Sequence, residues 1–265
     1  MTSPSLPDGV EVTRDVFLGG RVEILQPRRG YHRSGSDAVF LAACLSEDAT
    51  GRVVDLGAGS GAAGFCVAAR VAGVTVTLVE RDPVSLHLAR AGLELPANAA
   101  FAPRVEVIAA DVTARENARI ANGLARESFD HAIMNPPYWE NGEVRVTPAP
   151  ARADAHVFGD AGLDAWVRTA NSLLRPGGSL SIVFRADRLK ALLDVVAGRF
   201  GAATIFPLHP RPRAAAHRVL LRAVKGSRAA PRLLPGLVLH PAEGSDWSPE
   251  AEAINRGLGG LAVDG

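Results

Sequence analysis

The sequence predicts an α/β fold: a doubly wound, mostly parallel sheet of seven strands, the last antiparallel, with a small N-terminal hairpin. Three observations predict it. Short apolar or β-branched runs alternate with helical periodicity between residues 52 and 221, the signature of βαβ units. A glycine turn, Gly57-Ala58-Gly59-Ser60-Gly61, joins the first of these strands to a helix. Polar side chains recur at the ends of four successive strands, as Asp55, Glu80, Asp111 and Asn135. They would line up along the edge where open α/β sheets bind ligands.

Composition supports an ordinary globule. Apolar residues make up 47% and charged residues 22% of the 265, enough to build one large core with short appendages. No run approaches the ~20 apolar residues of a membrane span, and the N-terminus lacks the basic-then-apolar order of a signal peptide. Cys44 and Cys66 stand far apart without metal spacing and read as reduced, buried thiols of a cytoplasmic protein. The histidines show no metal spacing either, so no metal is expected. A net charge of +1 excludes a uniformly basic nucleic-acid binder but allows a local basic patch.

In chain order, residues 1 to about 15 read as a loose lead-in. Phe17-Leu18, Gly19-Gly20 and the alternating Val22 and Ile24 predict a hairpin. A loop carrying Arg28, Arg29 and Arg33 follows, and Ser34-Gly35-Ser36-Asp37 would cap a helix over 38–45. Residues 1–48 thus form a lead-in, hairpin and helix packed on the core, and 49–265 the main domain with its C-terminal tail. The first strand ends at Val53-Val54, before the glycines, and 62–71 reads as a helix. Glycine there permits a tight turn and a close ligand approach. The strand 74–79 ends in Glu80, about 20 residues past the glycines, where doubly wound folds hold ribose hydroxyls. Asp82 and Pro83 then supply an N-cap and a first helical residue.

A third strand spans 105–109 and a polar, partly helical stretch 113–127. The fourth strand runs into Phe129-Asp-His-Ala-Ile-Met-Asn-Pro-Pro-Tyr-Trp139. Two prolines stiffen the backbone after it and remove two donors. That leaves carbonyls without ladder partners beside Asn135, Tyr138 and Trp139, a rigid platform suited to a planar amine or amide. The irregular segment 140–158 lies beside this platform and is a candidate to fold over a substrate. Leu163, Trp166, Val167, Ala170, Leu173 and Leu174 fall at helical spacing up to a stop at 175–178, with Trp166 assigned to the core. A strand at 179–184, a helix over 187–200 and strands at 203–208 and 219–221 complete the pattern. Residues 209–232 hold seven Arg or Lys and no acid, read either as a solvated sheet edge or as phosphate contacts. Ser248-Pro249 starts a helix in a tail that packs back on the body.

The motif pair Asp-Leu-Gly-Ala-Gly-Ser-Gly and Asn-Pro-Pro-Tyr, with Glu80 and Asp111, resembles the class I S-adenosylmethionine-dependent methyltransferases. The chain is similar in particular to bacterial tRNA adenine-N6 methyltransferases acting on the anticodon-loop adenine of a valine tRNA. Leu18 to Ala43, Asn135 to Gly142, Arg218 to Gly226 and the tail from Leu237 share that likeness. The resemblance implies a Rossmann-like methyltransferase sheet, S-adenosyl-L-methionine as cofactor, and N6-adenine methylation of structured RNA, with tRNA the expected partner. N2-guanine methylation of RNA and N5-methylation of a protein glutamine remain alternatives on the same platform. It further implies that Asp55, Gly57, Gly59 and Gly61 surround the methionine moiety and that Glu80 holds the ribose. Asp111 would meet the cofactor adenine, with Ser36, Asp37, Arg81, Val112 and Asn135 as further cofactor neighbours. Asn135 and the Pro136 carbonyl would accept from the target amine, Pro137 would hold the turn, and Tyr138 would stack on the base. Arg28, Arg29, Arg33, Arg211, Arg213 and Arg218 are the expected phosphate contacts. Monomer and homodimer are both compatible with the sequence.

Overall fold

A computed structural model describes residues 10–31, 33–137 and 160–263. Strands β1 (Val12–Phe17) and β2 (Val22–Pro27) form the antiparallel N-terminal hairpin, with Phe17 opposite Val22. The alternation in β2 settles its orientation: Val22 and Ile24 are fully buried, so the hairpin lies flat on the body. A buried amide pins it there. Asn98 Oδ1 accepts from Glu23 N at 3.0 Å, while Nδ2 donates to Glu23 O and Gly92 O, both at 2.7 Å. Asn98→Ala strands three backbone groups, one buried and two half-buried, and is expected to cost about 2–3 kcal/mol. Calorimetry should then show Tm lowered by roughly 5–10 °C.

Helix α1 (Ser36–Ala42) follows, then β3 (Gly51–Leu56), α2 (Ala62–Arg70), β4 (Val74–Glu80), α3 (Pro83–Leu93), β5 (Val105–Ala109), α4 (Glu116–Ala121) and β6 (Phe129–Met134). After the break in the described residues come α5 (Asp160–Leu173), β7 (Leu174–Arg185), α6 (Leu189–Val196), β8 (Phe200–His209) and β9 (Arg218–Lys225). Two short strands, β10 (Arg232–Leu233) and β11 (Leu237–Val238), and helix α7 (Pro249–Asn255) end the chain.

The main sheet has the order β10-β8-β9-β7-β6-β3-β4-β5, with β11 also on β8. Strands β7, β6, β3, β4 and β5 are mutually parallel, and β9 is antiparallel to both β7 and β8. The expected seven strands and their winding are therefore present. Both faces are covered, so β3 is apolar on both sides. Val53 packs in the cluster with α1, α2 and the hairpin, while Val54 and Leu56 pack in the cluster with α5 and α6. After β5 the chain returns to the other side of β3 to make β6, and the crevice between the carboxyl ends of β3 and β6 is the topological switch point.

Several expectations change in detail. The N-cap of α1 is Gly35, without a side-chain cap bond, so the serines of the Ser-Gly-Ser stretch do not cap it. Asp37 is drawn instead to Arg218 across the fold. Residues Arg175 to Gly178 end α5 as expected but lie within β7, because buried Leu174 already pairs with Phe129 before the register shifts ahead of His131. Helix α6 is shorter than 187–200: a 3-10 turn covers Ala186–Arg188, and Phe200, only 6% exposed, opens β8. Strand β9 is interior, so its arginines do not guard an open edge; β10 and β11 flank β8 instead. The tail does pack back. Ser248 caps α7, and the Trp247 ring meets Phe40 edge-on at 6.1 Å.

Candidate functional site

The site begins at the end of β3, where Gly57 N and Ala58 N both donate to Val79 O, at 2.8 and 3.0 Å, folding the turn against β4. Gly57 has φ +69°, and a Cβ there would overlap the Trp166 indole. Gly59 has φ +56°, and a Cβ there meets nothing within 4 Å, because it faces open cavity. One glycine thus admits an indole and the other keeps space for a ligand. Gly57→Ala is expected to displace Trp166 and strain the turn, lowering Tm and weakening cofactor binding at least about tenfold by calorimetry.

Beneath the turn, Asp55 is 2% exposed and its Oδ2 accepts from Gly64 N at 2.9 Å. Burial pushes its carboxyl up to about 7; the Gly64 bond opposes this and the nearby Glu80 charge adds to it. At the end of β4, Glu80 Oε1 accepts from Arg81 N and Asp82 N, both at 2.8 Å, and Oε2 accepts from Gly59 N at 2.9 Å. Past β5, Asp111 Oδ1 accepts from Thr113 N and Oγ1, both at 2.7 Å, and Oδ2 from Arg81 Nη1 at 3.1 Å. Partial burial raises the Asp111 carboxyl, but the Thr113 and Arg81 contacts together hold it below the usual aspartate range. A carboxylate offers about four lone-pair sites, so each of these two acids retains roughly one for a ligand donor.

These groups surround a cavity of about 490 Å³, within the size range of small-molecule sites. Its walls include Asp55, Gly57, Gly59, Glu80, Arg81, Asp111 and Val112, and beyond them Asn135, Pro136 and Pro137 at the end of β6. Ser36, Asp37 and Gly61 are not in the wall: Asp37 pairs with Arg218 at 3.0 Å, and Gly61 begins α2 against Leu78 and Phe65. Ser34 and Ala38 take the places expected for Ser36 and Asp37. Tyr138, Trp139 and the segment 140–158 lie outside the described residues.

Sequence reasoning missed Ser85, Thr113 and Arg185 in the wall, and it gave Trp166 to the core alone. Trp166 is 7% exposed and serves both. Arg185 had a legible signal, since it too ends a strand at the binding edge. Of the expected phosphate contacts, Arg33 pairs with Asp15 at 2.6 Å and Arg28 with Glu11 at 3.6 Å. Arg211 donates to Pro241 O, Ala242 O and Gly244 O, tying the tail to the turn after β8. Arg211, though exposed, and Arg218 therefore join parts of the fold together, whereas no such contact is described for the exposed Arg29 and Arg213. Among the described residues, no group of three or more His, Cys, Asp or Glu is placed to hold a metal. No described helix is long and apolar enough to cross a membrane.

A glycine turn and strand-end acids at a switch point define an α/β enzyme that binds a nucleotide-bearing cofactor. The family model for the methyltransferase small domain matches residues 33–205, and the chain belongs to that family. It is similar to the crystal structure of a predicted O-methyltransferase, protein Atu636 from Agrobacterium tumefaciens, at 39% identity and a TM-score of 0.73. That match covers 85% of this chain and 98% of the other. It is 28% identical over 225 residues to a tRNA1(Val) (adenine(37)-N6)-methyltransferase of Porphyromonas gingivalis, covering 82% of this chain and 85% of that protein. A release factor glutamine methyltransferase of Gloeobacter violaceus is 30% identical over 198 residues, 71% of this chain and 64% of that protein.

The enzyme is an S-adenosylmethionine-dependent methyltransferase. The wall fits that cofactor: Gly59 leaves open space that would receive it, and the three carboxylates match the cationic, hydroxyl and amine character of its groups.

Proposed function

We propose that the protein methylates the exocyclic N6 amine of an adenine in tRNA. One observation carries the reading: Asn135, Pro136 and Pro137 line the same cavity as Asp55, Glu80 and Asp111, one strand from the glycine turn. The names of relatives such as the Porphyromonas enzyme support it.

In this reading Glu80 takes the cofactor ribose, Asp111 its adenine amine, and Asp55 with Gly57 and Gly59 its methionine end. The bound cofactor supplies an electrophilic methyl group. The chain's residues prepare the acceptor. An amine conjugated to a purine is a poor nucleophile because its lone pair is spread into the ring. Asn135 Oδ1 and the Pro136 carbonyl accept its two hydrogens and turn that lone pair out of conjugation toward the methyl. The nitrogen proton becomes acidic once the new N–C bond has formed and leaves to water, so no strong base is required. Extrusion of the base is cheapest from a single-stranded loop.

The Gloeobacter relative favours a second reading, a glutamine side-chain amide held by the same two acceptors. Incubation with isotopically labelled cofactor and unmodified tRNA, followed by nucleoside mass spectrometry, decides between them. N6-methyladenosine is expected. Label found only in N2-methylguanosine, or only in a protein glutamine, would overturn the proposal.

A further inference from the structure

The cavity is two-sided in charge. Sheet order places Asp55, Glu80 and Asp111 at the ends of β3, β4 and β5, and Asn135 after β6. Arg185 ends β7, on the side of Asn135 away from the acids, and it also lines the cavity. Among the described wall residues on that side there is no carboxylate. The carboxylates suit a cationic cofactor, so the opposite wall is where an anionic acceptor gains from a guanidinium.

Arg185 is held for that task. Its Nε donates to Asp187 Oδ1 at 2.9 Å, with a second contact from Nη2 to Oδ2. Its side chain is 31% exposed and that of Asp187 59%. Asp187, one of the groups that orient the fork at the cavity wall, is itself largely in water. Such exposed pairs are weak, so a phosphate that matches the planar fork can share or displace the carboxylate. Arg188, three residues on, adds positive potential to the same corner, while Arg218, directly opposite Arg185 in the β7–β9 register, is paired with Asp37.

We propose that Arg185 binds a backbone phosphate of the acceptor RNA strand and so sets the target base against Asn135. This rests on the RNA reading above and sharpens it, because a neutral glutamine amide gains nothing from a cation there.

The test compares wild type and Arg185→Gln with S-adenosylmethionine and unmodified tRNA transcript over a salt series. The Gln variant is expected to raise KM for RNA about tenfold and to reduce the slope of log KM against log salt by roughly 0.7–0.9, the loss of one phosphate contact. Its kcat should change far less, and cofactor affinity by calorimetry not at all. Arg185→Lys should restore most of the salt slope. If the Gln variant fails to bind cofactor, Arg185→Met, which keeps the aliphatic stem against the wall, carries the same comparison. Wild-type KM and slope in the neutral variant would overturn the inference while leaving the RNA reading intact. A wild-type enzyme that labels no RNA would overturn the RNA reading first.

Discussion

Asn135→Ala is expected to lower single-turnover methyl transfer by about 10²–10³-fold, the usual loss when a positioned polar contact at the reacting atom is removed. Cofactor affinity should stay within about threefold, since other groups in the wall hold the cofactor. Asn135 sits half-buried after β6 at the cavity, so truncation removes an acceptor without opening the core. Rapid mixing and quenching of cofactor-saturated enzyme in excess over tRNA measures the chemical step directly. A loss below about tenfold would mean that the amine is oriented by something else, and the Asn135 role would be withdrawn.

The second large effect is a pH dependence set by Asp55. Burial pushes its folded carboxyl up to about 7, against 3.8 for an ordinary aspartate. The sign follows from linkage. Between those values the folded protein without cofactor holds a proton that the unfolded chain has lost, so stability falls as pH rises from about 4 to about 7 and is level beyond. A cationic cofactor favours the ionised carboxylate and must expel that proton below about 7. Affinity for S-adenosylmethionine is therefore expected to rise toward pH 7 by up to about tenfold per unit, the limit for one proton, and then to plateau. Asp55→Asn should bind weakly at every pH, without that slope, and should be the more stable apo protein at pH 8. Calorimetry in buffers of different ionisation enthalpy counts the proton. A flat affinity profile for the wild type would show that Asp55 does not titrate with binding.

Much of the architecture was legible because burial on both faces leaves unmistakable apolar strands. Val53-Val54 and Ala132-Ile133-Met134 are such runs, and all five residues are buried. Asp82-Pro83 announced α3 chemically, and the Asp82 side chain does accept from Ser85 N. Capping at α1 was misread because several oxygen-bearing residues compete at one helix start, and only the distant Arg218 decides what Asp37 does. The two-residue strands β10 and β11 are too short to carry any period; they exist because the exposed edge of β8 accepts them.

The basic stretch shows the limit more sharply. Residue type could not separate Arg211, tied to three carbonyls of the tail, from the equally exposed Arg213 two residues away, for which no such contact is described. Nor could spacing reveal that Trp166 covers Gly57 and lines the cavity.

By itself the sequence determined the winding of the sheet, the glycine turn and the strand-end polar groups, because strand ends and tight turns are local consequences of burial and backbone sterics. Only the tertiary structure decided which of those groups share one cavity, which arginines are consumed by carbonyls and carboxylates, and where Arg185 stands. Those outcomes depend on contacts between residues far apart in the chain, such as Arg218 with Asp37 and Asn98 with Glu23, which no local pattern encodes.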